Sequence, residues 1–100
     1  MAETAVCAAS ELPAEGLKAV QTGERSILIG RLQGQLVAYA DRCPHAGSPL
    51  RFGKRRGEEI TCPRHGWTFN LLTGRSVPDP SFCLTAIPIA IQHDQVVLTL

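Results

Sequence analysis

Charge of one sign is scarce in this chain. Its 100 residues hold 10 Lys plus Arg against 9 Asp plus Glu, a formal net charge of +1. A nucleic-acid binder needs many cationic contacts to phosphate, so that class is set aside. Aromatic residues are only 5%, which also excludes a base-stacking surface. Apolar runs are short, and none approaches the roughly 20 residues of a membrane span. The first ten residues carry Glu3 and lack the basic start and apolar core of a secretion signal. The expectation is a cytoplasmic chain with reduced thiols and no membrane contact. Length adds its own limit. One hundred residues make one domain with one modest core, small for an enzyme with a deep cleft.

Glycine and proline are not scarce. Nine Gly and seven Pro cut the chain into short pieces and leave no long amphipathic helix. Ser26–Arg31 and Gln35–Ala40 alternate as a hairpin about Gln33-Gly34, with Ile27 and Ile29 sharing one face, as do Val37 and Tyr39. Thr85–Ile91 and Gln95–Leu100 form a second hairpin about Gln92-His93-Asp94. Val6 with its neighbours, and Leu17–Thr22, read as further strands, and Ala14–Gly16 as a single helical turn. Short strands between Gly/Pro turns predict an all-β antiparallel sandwich or barrel.

The middle third differs from both ends. Residues 42–75 hold seven basic and two acidic side chains, a balance of +5; the remainder balances at −4. Two small motifs stand in that basic stretch. One is Cys43-Pro44-His45-Ala46-Gly47. The other is Cys62-Pro63-Arg64-His65-Gly66-Trp67. As spacing they read C-x-H, sixteen residues, then C-x-x-H. Each brings one thiolate and one imidazole to a Gly/Pro-rich loop, where a Gly after the His allows φ > 0. Two sulfurs and two nitrogens suit either tetrahedral Zn²⁺ or a [2Fe–2S] cluster in which two His replace two Cys on one iron. Zinc fingers pair Cys with Cys and His with His. One Cys and one His from each loop suits two metals held between two loops.

These motifs resemble those of Rieske proteins, and the whole chain resembles a Rieske-type ferredoxin. The likeness runs through Cys43 to Leu50, then Cys62 to Asn70 followed by Thr73-Gly74, then Pro78-Asp79-Pro80, which matches a proline loop that shields the cluster. The resemblance implies a single Rieske domain over 1–100, with three small antiparallel sheets and the cluster at one tip. Its loops fall at about 42–50 and 61–70, and its proline loop at about 77–81. It implies one [2Fe–2S] cluster, with Cys43 and Cys62 on one iron and His45 and His65 on the other. Respiratory-chain relatives carry an extra Cys in each loop, joined as a disulfide; Ser48 and Arg64 stand there, so none forms. Hydroxyls that bond to sulfur in those relatives are replaced by Trp67 and Phe69, which implies a lower potential. That is the branch serving aromatic-ring dioxygenases.

A complete oxygenase also needs a mononuclear iron on two His and a carboxylate. Beyond the ligand pair only His93 remains. The expectation is therefore a monomeric electron carrier with no catalytic residues, between an NAD(P)H-dependent flavoprotein reductase and a terminal oxygenase. A small Rieske-like subunit of a nitrite reductase and a Zn-stabilised interaction module are the alternatives. Cys7 and Cys83 read as small core hydrophobes, His93 as an exposed turn residue, and Trp67 as packing beside the second loop. Lys54-Arg55-Arg56 reads as a solvated loop, with a docking role as its rival.

Overall fold

A computed structural model describes residues 2–43, 49–63, 66–77 and 82–100. Among them are nine strands and two 3-10 turns. In chain order the strands are β1 (Glu3–Ala8), β2 (Gly16–Thr22), β3 (Arg25–Leu32), β4 (Gln35–Ala40), β5 (Lys54–Arg56), β6 (Glu59–Thr61), β7 (Thr68–Asn70), β8 (Ile89–Gln92) and β9 (Gln95–Thr99). They build three antiparallel sheets, ordered β1-β9-β8, β2-β3-β4 and β5-β6-β7.

The β2-β3-β4 sheet is the middle layer. Gln33 and Gly34, at φ 53° and 78°, make the two-residue turn joining β3 to β4. Two positive φ values match the right-handed twist of the strands they join. Alternation along β3 and β4 then sends side chains to opposite faces. Leu28, Leu32, Val37 and Tyr39 meet Ile60, Phe69 and Leu71 of the β5-β6-β7 region and its following turn. On the other face Ile27, Ile29 and Ala38 meet Val96 and Leu98 of β9. Ile27/Ile29 and Val37/Tyr39 thus serve two different cores. Burying both faces is what allows the near-continuous apolar run Ile27-Leu28-Ile29.

Three sequence expectations are corrected here. Thr85–Ile91 is not one strand: β8 begins only at Ile89. Pro88 has no N–H for a ladder. The residues before it pair elsewhere, with Ala40 N–H donating to Thr85 O at 2.9 Å and Ile87 N–H donating to Ala38 O at 2.9 Å. This stretch therefore crosses from β4 to the outer sheet. The helical turn lies not at Ala14–Gly16 but at Ala9–Glu11, where the Glu11 carboxylate accepts from Ala8 N–H at 2.8 Å. Gly16, at φ +136°, opens β2 instead. Lys54-Arg55-Arg56 is a strand, β5, paired with β6 in the register Lys54↔Thr61. All three of its side chains are exposed, so their solvation is as expected.

Candidate metal centre

Two of the four expected ligands lie in described structure. Cys43 follows β4 and Cys62 follows β6, and both belong to the core between the middle sheet and β5-β6-β7. They are 0% and 1% exposed, and neither is in a disulfide. His45 and His65 lie outside the described residues, as do the rest of Pro44–Ser48, Arg64 and Pro78–Ser81. Among the described residues no third His, Cys, Asp or Glu joins the two thiols to make a ligand group. The donor chemistry fits a [2Fe–2S] cluster. Two buried soft thiolates suit iron, and each opens a loop whose next ionisable donor is a histidine in sequence.

Backbone bonds fix the second loop. Cys62 N–H donates to Trp67 O at 2.7 Å and Gly66 N–H to Cys62 O at 3.1 Å. Gly66 takes φ +70°, the freedom expected of it. Below the loop the Thr61 and Thr68 hydroxyls meet at 3.0 Å. Gly53 lets the chain pass close beside this strand, since a Cβ there would sit 2.1 Å from Thr61 O. Trp67 packs against the core beside the loop, as expected. Its ring meets Phe82 edge-on, with centroids 5.0 Å apart. Phe82 directly follows the expected proline loop in sequence, and sequence reasoning did not single it out.

Asp41 and Arg51 were also missed. Asp41 is buried and forms an ion pair with Arg51, the two bracketing the first loop. Nothing periodic marks a pair ten positions apart, so only its placement around the ligand motif could have signalled it.

The basic stretch is largely open to solvent. Arg42, Lys54, Arg55, Arg56 and Arg75 are exposed. The one ion pair among the described residues is Arg51–Asp41. Pairing of these arginines with Glu58 and Glu59 is therefore not what the fold provides. Glu58 instead accepts from Gln33 Nε2 at 2.7 Å. A shallow cleft lined by Phe52, Lys54, Thr61, Pro63 and Gly66 reaches Cys62 beside this strand.

The remaining expectations divide. His93 is exposed, in the turn before β9 at φ 49°. Cys7 is half-buried against the core under β9, as expected. Cys83 is exposed, not core. It bridges Arg75 at a position where alternation sends its neighbour Leu84 inward instead.

Comparison with known proteins agrees with this chemistry. The family model of the Rieske [2Fe-2S] domain matches residues 2–88. Ferredoxin CarAc of Metapseudomonas resinovorans is 34% identical over 76 residues, covering 75% of this chain and 71% of its own. The iron-sulfur subunit TsaM1 of the toluene-4-sulfonate monooxygenase system of Comamonas testosteroni is 32% identical over 87 residues, covering 80% of this chain. The chain spans only 25% of that protein, and 12% of other curated relatives it matches. A chain in the complex of reduced oxygenase and oxidised ferredoxin of carbazole 1,9a-dioxygenase superposes with a TM-score of 0.80 at 28% identity, covering 96% of this chain and 91% of that one. Two buried thiols in one core, three small antiparallel sheets and the match over residues 2–88 place this chain in the Rieske [2Fe-2S] domain family.

Proposed function

We propose that this chain is a one-electron carrier that takes electrons from an NAD(P)H-dependent flavoprotein reductase and passes them to a terminal Rieske oxygenase. It has no substrate-converting site of its own, and it works in the cytoplasm as a single domain. The observation that carries this reading is the likeness to Ferredoxin CarAc, of which this chain covers 71% at 34% identity. The similar solved chain belongs to an oxygenase–ferredoxin complex, which supports an oxygenase as the electron acceptor.

Cys43, His45, Cys62 and His65 would hold the cluster, two through thiolate and two through imidazole. A [2Fe–2S] cluster so held supplies a one-electron couple whose potential depends on its ligands, hydrogen bonds and exposure. This chain's residues do the rest. The buried thiols keep the sulfur side dry, and the exposed cations around β5 give the neighbouring surface its charge.

The test uses the purified holoprotein. Iron and acid-labile sulfide are assayed, then the protein is titrated anaerobically with NADH and a flavoprotein ferredoxin reductase. One electron accepted per chain is expected, with oxidation on adding a terminal oxygenase. Zinc in place of iron would leave the interaction-module reading standing instead. A cluster that no reductase or oxygenase turns over would assign the chain to a larger assembly.

A further inference from the structure

The two ligand loops are closed by different means. The second stands on a hairpin, with β6 and β7 paired in register from Glu59↔Asn70 to Thr61↔Thr68. The first has no such ladder among the described residues. It leaves β4 at Ala40 and returns into the 3-10 turn Leu50–Phe52. Its two ends are joined by one carboxylate. Asp41 Oδ1 accepts from the backbone N–H of Arg51 at 2.8 Å. Its Oδ2 accepts from Arg51 Nη1, and from Ser26 Oγ at 2.9 Å. Asp41 N–H in turn donates to Ser26 O at 3.0 Å, which fastens the loop base to β3. The carboxylate side chain is 0% exposed and the arginine 39%. The guanidinium lies 4.7 Å from the centroid of the Phe52 ring.

A carboxylate taken out of water needs its lone pairs filled, and here three donors from two residues fill them. That is unlike a surface ion pair, whose partners can part at little cost. We infer that Asp41 and Arg51 form a clasp that positions the first ligand loop and holds Cys43, two residues beyond Asp41, where the cluster requires it. The inference rests on the cluster reading proposed above. Both are positioning residues, not ligands.

The clasp also carries charge, and this separates it from a purely structural brace. Intact, the pair is neutral. Asp41→Asn leaves the arginine cation uncompensated, which favours an added electron and raises the midpoint potential. Arg51→Gln leaves the buried carboxylate uncompensated, which lowers it. Both changes loosen the same loop. The signature is therefore a shared gain in iron loss with potentials moving in opposite directions.

The experiment compares wild type, Asp41→Asn, Arg51→Gln and Ile29→Val, the last buried in the other core as a control for general destabilisation. Three quantities are measured: iron release to excess chelator under argon, midpoint potential, and amide exchange of peptides spanning Arg51 in each protein as purified. Expected are iron release roughly tenfold faster in both clasp variants, the scale of a lost charge-assisted hydrogen bond, opposed potential shifts, and faster exchange at Arg51. Ile29→Val is expected to match wild type in all three. Release at the wild-type rate, shifts of one sign, or an equal response in Ile29→Val would overturn the clasp. Arg51 is half-exposed, so Arg51→Gln keeps the test open if Asp41→Asn fails to fold. Wild type purified without iron or sulfide would refute the cluster reading instead, and unchanged exchange at Arg51 would then still refute the clasp.

Discussion

The hydroxyl of Tyr39 donates to the carbonyl of Leu71 at 2.7 Å, inside the core that holds Cys43 and Cys62. Tyr39 stands on β4, which leads into the first ligand loop, and Leu71 follows β7, which closes the second. One buried bond thus ties the two supports together. Gly74 leaves room for the ring, since a Cβ there would meet it at 3.1 Å, and its φ of +81° suits glycine.

Tyr39→Phe should cost about 1 kcal/mol, because the Leu71 carbonyl loses its donor in a dry place. The change also has a pH signature. Burial raises the Tyr39 pKa above its ordinary value of 10.0. The fold thus favours the protonated phenol, so this contribution is fully present below about pH 10 and is lost as pH rises through the raised value. Wild type should lose more stability than Tyr39→Phe between about pH 9 and 11.5. This is the only tyrosine in the chain, so tyrosinate absorbance reports it alone. An ordinary titration in the folded protein would defeat the prediction.

Metal removal should act locally. Gly/Pro-rich loops bury little apolar surface, and a group bound only by the folded state stabilises it. Stripping the metal should lower the melting temperature and speed amide exchange first between about Asp41 and Pro80. His45→Ala and His65→Ala should each abolish the Rieske-type EPR signal. Equal exchange in both forms would contradict local stabilisation by the metal, and a retained signal in His45→Ala would contradict the ligand assignment.

The ligand motifs were legible because metal chemistry demands fixed residue types at short fixed spacing. The β3–β4 hairpin was legible from its alternation and from Gln33-Gly34. Hidden features depended on tertiary placement. Thr85 to Ile87 looks like a strand, but its partner is β4, forty-odd positions away. Asp41 and Arg51 sit on either side of a loop, and no periodicity relates them. Cys83 reads apolar by its neighbours, yet the face it takes is set by its bridge to Arg75.

That exposure has a chemical outcome. Native holoprotein treated with a maleimide should label at Cys83 first. Cys7 should follow slowly. Burial raises its pKa above the usual 9.0, with Lys18 lowering it and Glu11 raising it further, so less reactive thiolate is present at neutral pH. Cys43 and Cys62 should label only after metal removal. Peptide mass spectrometry reads the order, and labelling of Cys7 ahead of Cys83 would reverse the reasoning.

Phe69 tests the potential. It is 0% exposed on β7, in one core with both thiols. Phe69→Tyr adds a hydroxyl there, and a hydrogen bond to a ligand sulfur stabilises the added electron. Cyclic voltammetry should show a higher midpoint potential. A lower one, with a crystal structure showing the bond made, would refute the mechanism.

Charge should also steer association with the proposed oxygenase. An oxidised cluster with two thiolate ligands is neutral, and reduction adds one negative charge. The +5 balance of residues 42–75 is therefore never cancelled by it. Arg51 is neutralised by Asp41, but Arg42, Lys54, Arg55 and Arg56 remain exposed, with no ion pair among the described residues. Three of these lie on β5, whose partner strand β6 runs directly into Cys62. The cations thus flank one route to the metal centre. If the proposed oxygenase faces them with acidic groups, they should speed encounter more than they tighten the complex. Salt screens such steering beyond about 8–10 Å. The second-order rate of electron transfer should therefore fall as ionic strength rises, and Arg55→Gln with Arg56→Gln should flatten that dependence. The double variant should keep the wild-type midpoint potential, since both side chains point to solvent. A rate that is flat with salt in wild type and unmoved by the double substitution would shift the contact to apolar groups such as Phe52, 67% exposed on the cleft that reaches Cys62.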